Sequence, residues 1–258
     1  MATLLDTEPN PQRIAGTYSA DRKPFIPPHV EDAHRRQQTQ YLNPYSAEAI
    51  DCANIIRTWE HSLNVQRQFD ADIGKRYAGC EFDSYQCQIP KQEKVLQSLR
   101  EYAENAAERI AEGRNVILYG PKGTGKDHLL VALARAVFYR TQTPTTWHNG
   151  VDLRAEFHRR LLNAKDYDDG FTHPEARVPI LYISDPLPTT GALSESQQQS
   201  LFQLIDKRYR EMRPTWISCN VADPKDAADK MGSQTIDRLK EYALVLHCNW
   251  ESFRKGAS

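Results

Sequence analysis

The chain has 258 residues, 40% of them hydrophobic, and its 33 Lys and Arg against 34 Asp and Glu give a net charge of −1. This length predicts one or two domains with a sizeable core, and the lack of both a run of ~18 apolar residues and a secretory leader indicates a soluble, cytoplasmic protein. A charge so close to zero excludes a protein that coats nucleic acid by its overall charge, although it is compatible with a local basic patch.

Residues 1–45 predict an arm that is extended or disordered. They hold six of the fifteen prolines, and their few apolar residues recur at neither a helical nor a strand period. Two interpretations stay open for this arm: an inert tail, or a docking peptide that folds on a partner.

Residues 46–75 predict a helical region that binds a partner. Ser46 is a suitable N-cap, and the apolar residues that follow on an irregular helical face are Ala47, Ile50, Ile55, Trp59 and Leu63. A second helix is expected from Lys91 to Glu112, ended by Gly113. The loop-like segment 76–83 lies between the two helices and marks the start of the main domain, 76–258.

From Asn115 onward, short apolar runs alternate with helical patterns. Strands are predicted at 115–119, 145–148, 178–184, 215–219 and 244–248, and helices at 126–139, 151–164, 195–212 and 234–242. Such alternation is typical of right-handed crossovers between parallel strands, with helices on both faces of the sheet. The predicted fold class is therefore α/β.

A phosphate-binding loop follows the first of these strands. The segment Gly120–Asp127 has the pattern Gly-x4-Gly-Lys between a strand and a helix, which is the setting that a P-loop requires. Its glycines can adopt positive φ, so that backbone N–H groups surround a phosphate, and the helix N-terminus adds partial positive charge. Lys126 can reach the β- and γ-phosphates of a nucleotide bound there.

Two positions depart from the usual P-loop site. Asp127 stands where a Ser or Thr hydroxyl usually binds Mg²⁺, and Ser184-Asp185-Pro186 stands where the partner strand usually ends in two acids. In the register that we favour, Ser184 takes the metal-linked position and Asp185 polarises the attacking water. A shift of one residue would put Asp185 at the metal and Pro186 at the catalytic position.

The favoured register pairs the two departures. The loop supplies the carboxylate and the strand supplies the hydroxyl, so that Asp127 and Ser184 together hold Mg²⁺. The alternative is a degenerate site that binds nucleotide and hydrolyses it slowly.

The segment from Lys75 to Arg254 resembles the DnaC/IstB family of AAA+ ATPases, which are bacterial replicative-helicase loaders and transposition helper ATPases. The residues that carry the resemblance are Arg76-Tyr77 with Phe82, Gly120–Lys126 followed by His128-Leu129, Leu201–Tyr209, Thr215–Asn220, Asp237-Arg238-Leu239 and Trp250–Arg254. In this order and spacing they are typical of that family. The resemblance implies an AAA+ P-loop core that takes ATP and Mg²⁺ as its ligands.

The resemblance also implies roles for single positions. The residues expected at the nucleotide are Gly120, Pro121, Lys122, Gly123, Thr124, Gly125, Lys126, Asp127 and His128. Asn220 resembles the residue that senses the γ-phosphate or the attacking water, and with Asp185 it would take part in catalysis. Arg238 resembles the arginine finger that reaches the nucleotide of a neighbouring subunit, which implies a homo-oligomer because one subunit cannot place its own finger there.

Family members also carry a helix after the second strand that faces DNA or the next subunit, and residues 151–165 fit it. An apolar stripe runs along one side of this segment, while Arg154, Arg159 and Lys165 project elsewhere. Such a patch could neutralise DNA phosphates at little cost in net charge. The alternative is a solvated basic helix face.

The leading interpretation is an ATP-controlled oligomeric switch that loads a replicative helicase onto single-stranded DNA. The client would be a transposase if the chain is a transposition helper of the IstB type. Two other classes stay open: an adaptor that holds ATP as a structural ligand, and a P-loop kinase for a small molecule. Lack of turnover with saturating single-stranded DNA would favour the adaptor, and phosphorylation of a metabolite would favour the kinase.

Overall fold

A computed structural model describes residues 26–39, 43–163 and 174–254. The helices are α1 (Pro28–Thr39), α2 (Ala47–Ile73), α3 (Pro90–Glu104), α4 (Ala106–Ala111), α5 (Lys126–Thr141), α6 (Gly150–Asn163), α7 (Glu195–Arg210), α8 (Pro224–Met231) and α9 (Ser233–Lys240). The strands are β1 (Val116–Tyr119), β2 (Thr145–Asn149), β3 (Ile180–Ser184), β4 (Thr215–Cys219) and β5 (Leu244–His247). Within these ranges no helix is both long and apolar enough to cross a membrane.

The five strands form one sheet in the order β2-β3-β4-β1-β5, and every neighbouring pair is parallel. This confirms the predicted α/β class with a parallel sheet. Because the strands are parallel, their carboxyl ends meet at one edge, where Ser184 lies opposite Ser218 and Tyr119 lies opposite Cys219. That edge is where ligands bind in sheets of this kind.

Side chains alternate between the two faces of the sheet and build a separate core on each. One core contains Val116 and Leu118 of β1 with residues of α2, α3 and α5. The other contains Ile117 of β1 with residues of α6, α7, α8 and α9. The sheet is therefore covered on both faces, which explains why β1 and most of β3 are continuous apolar runs.

The N-terminal arm departs from the prediction, because Pro28–Thr39 form helix α1 rather than an extended segment. Proline suits the first turn of a helix, and Ala33 of α1 packs on Cys52 and Ile56 of α2. So few residues of α1 are buried that its apolar residues form no clear helical period, and the sequence alone does not predict the helix. The other residues of the predicted arm that precede this helix, 1–25, lie outside the described part of the chain, as do 40–42.

Helix α2 is joined to the P-loop helix α5 by a buried ion pair. Arg135 of α5 is 3% exposed, and its guanidinium donates to Asp70 of α2 at 2.8 and 3.1 Å. The same guanidinium donates to the carbonyls of Tyr77 and Cys80 at 2.9 and 2.8 Å. Arg135 thus fixes α2 and the segment that follows it against the helix that carries the P-loop.

The single helix expected from Lys91 to Glu112 is divided at Asn105 into α3 and α4. The Asn105 side chain donates to the carbonyl of Glu101 at 2.8 Å, and its backbone leaves the helical region. A side chain that bonds a nearby backbone carbonyl competes with the helical hydrogen bonds in this way. Gly113 ends α4 as predicted, with φ of 65° and its N–H bonded to the carbonyl of Ile110 at 3.0 Å.

We expect Gly113→Ala to lower the free energy of unfolding by about 1–3 kcal/mol, because alanine would be strained at this positive φ. Its Cβ would also lie 2.8 Å from the backbone of Met212. Denaturant titration measures the change. Gly79→Ala is the matched control, because a Cβ there meets nothing within 4 Å and the backbone is outside the left-handed region. An equal loss in both variants would contradict this explanation.

Candidate functional site

A cavity of about 680 Å³ opens at the carboxyl edge of the sheet. Its walls are the P-loop, the ends of β2, β3 and β4, the segment that follows α2, and the chain at 253–254. The cavity therefore lies at the predicted nucleotide site, since the P-loop connects β1 to α5 at this edge.

The backbone of the P-loop has the conformation that its glycines predict. Gly123 and Gly125 have φ of 82° and 84°, and Gly125 directly precedes the first residue of α5. Gly120 has φ of 147°, and a side chain there would collide with the carbonyl of Cys248. The loop is thus curled against its neighbours, with the N-terminus of α5 at its end, as an anion site requires.

Lys126 lies inside this curl. Its ammonium group donates to the carbonyls of Gly120 and Pro121 at 2.9 and 2.7 Å, and the residue is 5% exposed. Burial lowers the pKa of Lys126 from its ordinary value. The loop therefore concentrates an ammonium group, backbone N–H groups and a helix N-terminus in one place, which suits an oligophosphate.

Asp127, the first departure from the usual motif, is held by three hydroxyl groups. Tyr182, Ser184 and Ser218 donate to its Oδ1 atom at 2.7, 3.1 and 2.6 Å. The predicted proximity of Asp127 and Ser184 is therefore present. Tyr182 and Ser218 were not predicted, although the two-residue period of β3 places Tyr182 on the same face as Ser184.

Asp185 and Asn220 form a second polar pair at the cavity. The Asn220 amide donates to Oδ2 of Asp185 at 2.6 Å. Asp185 has φ of 50°, and its N–H donates to the carbonyl of Ser218 at 2.9 Å, so its backbone is fixed in a conformation that few residues adopt. Gly150 at the start of α6 lies so close to this backbone that any side chain there would collide with it.

Two aromatic side chains from distant parts of the sequence support the P-loop. Trp250 Nε1 and the Tyr85 hydroxyl both donate to the carbonyl of Thr124, at 2.9 and 3.1 Å. The backbone N–H of Phe253 also donates to the carbonyl of Gly123 at 2.9 Å. The segment Trp250–Arg254, which is part of the family resemblance, therefore packs against the P-loop.

His128 lines the same cavity one residue beyond Asp127. Its Nε2 lies 3.0 Å from the carbonyl of Glu81 and 3.1 Å from the hydroxyl of Ser84. Burial lowers the pKa of His128, so the neutral ring is favoured. This side chain joins the first turn of α5 to the segment that follows α2.

We expect Trp250→Phe to lower the free energy of unfolding by about 1 kcal/mol, because Thr124 loses one of its two side-chain donors in a buried place. Trp59→Phe is the matched control, since the indole N–H of Trp59 has no hydrogen-bond partner among the described residues. Denaturant titration of both variants measures the difference. Equal losses would mean that the hydrogen bond to Thr124 contributes nothing.

Arg238 lies away from the cavity of its own subunit. Its guanidinium is 3.3 Å from Asp206 and stacks on the ring of Tyr209, 4.8 Å from the centroid. It is not among the residues that line the cavity. The predicted role as a finger for a neighbouring subunit stays a prediction.

The predicted DNA-binding arginines have partners within the chain. Arg154 donates to the carbonyl of Pro186 at 2.6 Å, and burial lowers its pKa. Arg159 forms an ion pair with Glu156. Lys165 lies outside the described residues. DNA contact by these residues stays a prediction.

The side chains at the cavity fit a magnesium ion that is bound partly by the protein and partly by the phosphates of a nucleotide. No hydrogen bond from the described chain reaches Oδ2 of Asp127, and a carboxylate oxygen is a ligand that Mg²⁺ prefers. Within the described ranges there is no group of three or more His, Cys, Asp or Glu that could hold a metal. A metal ion here would therefore need phosphate and water ligands as well, as Mg²⁺ usually does in nucleotide sites.

Comparison with known proteins gives one family and several relatives. A family model described as IstB-like ATP binding protein matches residues 57–258. A replicative helicase loader DnaC of Buchnera aphidicola is 27% identical over 211 residues, which cover 80% of this chain and 82% of the relative. A putative insertion sequence ATP-binding protein of Sinorhizobium fredii is 25% identical over 166 residues, which cover 58% of this chain and 49% of the relative.

Solved structures share the fold. A crystal structure of the DnaC helicase loader has a TM-score of 0.60 at 23% identity and covers 67% of this chain and 99% of that one. DnaA from Aquifex aeolicus with AMPPCP has a TM-score of 0.53 at 16% identity and covers 67% of this chain and 50% of that one. The expected fold, a parallel sheet flanked by helices, is therefore confirmed.

Proposed function

The chain belongs to the IstB-like ATP-binding protein family, and from this premise we propose that it is an AAA+ ATPase that binds ATP with Mg²⁺ at the P-loop and acts as an oligomeric switch on DNA. The observation that carries the proposal is the contact of Asp127 with Ser184 beside Lys126. The carboxylate and the hydroxyl that the usual site needs are both present, with their positions exchanged. This arrangement supports a working site over a degenerate one.

Each polar group at the cavity has a task in this proposal. Lys126 and the N–H groups of the loop bind the phosphates, while Asp127 and Ser184 would hold the magnesium ion. Bound Mg²⁺ supplies positive charge that offsets the charge of the phosphates. Asp185 orients the attacking water and accepts its proton, and Asn220 holds the Asp185 carboxylate in place, 2.6 Å away. Hydrolysis gives ADP and phosphate and resets the switch.

The base of the nucleotide has an apolar wall available. Ile73, Tyr77 and Cys80 line the part of the cavity formed by the end of α2 and the segment that follows it. Arg135 bonds the carbonyls of Tyr77 and Cys80, so this wall is rigidly attached to the P-loop helix. A planar base can bury its faces there while its phosphates lie in the loop.

We propose a replicative helicase as the client, loaded onto single-stranded DNA. The support is the extent of similarity: the helicase loader aligns with 80% of this chain, whereas the insertion sequence protein aligns with 58%. Arg154, Arg159 and Lys165 are the proposed DNA contacts. A transposase is the second candidate client, favoured by the description of the family that matches residues 57–258.

Affinity purification from the source cell, with a nonhydrolysable ATP analogue and Mg²⁺, tests this proposal. We expect a hexameric helicase to be recovered with the wild-type chain, and much less with Lys126→Ala, which should not retain the analogue. Recovery of a transposase instead would move the chain to the second candidate. Equal recovery of any client with wild type, with Lys126→Ala and without nucleotide would contradict control by ATP.

A further inference from the structure

We infer that Tyr182 and Ser218 are positioning residues for Asp127. They hold Oδ1 of this carboxylate by hydrogen bonds and leave Oδ2 as the oxygen that binds the Mg²⁺ of Mg²⁺·ATP. The inference rests on the proposed function. Its basis is that the hydroxyls of Tyr182, Ser184 and Ser218 converge on one oxygen, Oδ1, at 2.6–3.1 Å. Among the described residues Oδ2 accepts no hydrogen bond, so it is the oxygen left for a metal ion.

The sheet brings these donors together by its register. Tyr182 and Ser184 are two residues apart on β3, and Ser218 lies opposite Ser184 on β4. All three face α5, because alternate residues of a strand point to the same side. Tyr182 is 0% and Ser218 is 2% exposed, and their neighbours on the strands are buried apolar side chains.

The burial of these hydroxyls indicates that they have a specific partner. A buried polar group without a partner is destabilising, and phenylalanine or alanine would fill the same core positions without that requirement. The two hydroxyls nevertheless lie where they bond Asp127, the residue that replaces the usual hydroxyl of the P-loop.

A carboxylate next to a triphosphate needs such restraint. An aspartate in the first turn of a helix is favoured by the helix dipole, yet its negative charge repels phosphate when no cation intervenes. Hydrogen bonds to a charged acceptor are stronger than those between neutral groups. Three of them hold Oδ1 on the side of the sheet, which fixes the rotamer and offsets part of the charge.

The test measures how strongly Mg²⁺ improves ATP binding. Isothermal titration gives the Kd for ATP with saturating Mg²⁺ and with EDTA, and their ratio is the magnesium dependence. We expect Tyr182→Phe and Ser218→Ala each to reduce this ratio about tenfold, because Asp127 would no longer present Oδ2 to the ion in a fixed orientation. Tyr102→Phe is the matched control, because it removes another buried hydroxyl, which donates to the carbonyl of Arg114 and accepts from Nε1 of Trp216.

Ser218→Thr keeps the hydroxyl and should restore the wild-type ratio, which a merely structural loss would not do. Unchanged ratios in Tyr182→Phe and Ser218→Ala, or an equal reduction in Tyr102→Phe, would overturn the inference alone. A wild-type chain that binds no ATP in either condition would overturn the proposed function, and this inference with it. Thermal melting identifies a variant that fails to fold, and the other position then decides.

Discussion

Arg238→Ala is expected to slow ATP hydrolysis by roughly 10³–10⁵-fold, the usual contribution of an arginine finger, while ATP affinity stays close to wild type. The reason is geometric: Arg238 is absent from the lining of its own cavity and is fixed on α7 by Asp206 and Tyr209. In the proposed oligomer it would act on the nucleotide of a neighbouring subunit. Single-turnover assays at high protein concentration measure the loss.

Mixing two inactive variants tests whether the finger acts between subunits. Lys126→Ala lacks nucleotide but keeps its finger, and Arg238→Ala keeps nucleotide but lacks the finger. In an equal mixture roughly one site in four combines an intact P-loop with an intact finger, so activity should return. Neither variant alone should show it.

Arg210→Ala is the matched control for Arg238. Arg210 is the last residue of α7, and like Arg238 of α9 it pairs with Asp206, at 3.0 Å. If Arg210→Ala slows hydrolysis as much as Arg238→Ala does, the loss reflects the Asp206 cluster rather than a finger. If the mixture stays inactive, Arg238 does not act in a neighbouring site.

The second large effect concerns the exchange between Asp127 and Ser184. We expect Asp127→Ser to weaken Mg²⁺-dependent ATP binding about 10- to 100-fold, because the site loses its carboxylate. Ser184→Asp should weaken it comparably, because a second carboxylate beside Asp127 adds like-charge repulsion.

The double variant Asp127→Ser with Ser184→Asp should recover affinity to within about tenfold of wild type, because it again holds one carboxylate and one hydroxyl. Titration with ATP and Mg²⁺ of all four proteins gives the coupling between the two positions. A double variant weaker than either single one would mean that the losses simply add. In that case the two residues are not partners at the metal.

Much of the fold could be predicted because its signal is local. β1, β3 and β5 are short and mainly apolar runs between helical patterns, and the parallel orientation of the strands follows from the alternation of strands and helices. Helix α1 was missed because few of its residues are buried. The break at Asn105 depends on a single hydrogen bond to Glu101, which no hydrophobic pattern contains.

The site was predictable to the extent that motifs mark it. Asp127, Ser184 and Asp185 could be named because each lies in or at the end of a recognisable loop or strand, and the carboxyl ends of parallel strands meet. Asn220 was named through the resemblance to the DnaC/IstB family. Tyr182 and Ser218 could not, because a hydroxyl inside a buried strand looks like part of the core until its cross-strand neighbour is known.

Contacts between distant segments were also out of reach of the sequence. Tyr85 and Trp250 meet at the carbonyl of Thr124, although neither belongs to the P-loop. Local sequence patterns cannot predict such a contact, because it depends on how the whole sheet and its helices are assembled.

Because Trp250 is hydrogen-bonded to Thr124 of the P-loop, its intrinsic fluorescence should respond to nucleotide binding. Of its four tryptophans, Trp147 lines the cavity and Trp250 is bonded to the P-loop, while Trp59 and Trp216 lie outside the cavity wall. Indole emission depends on the polarity and hydrogen bonding around the ring, so arrival of a nucleotide should register there without any attached dye. A chain with phenylalanine at 59 and 216 would report from the two indoles at the site, and stopped-flow mixing could then time each step of the switch.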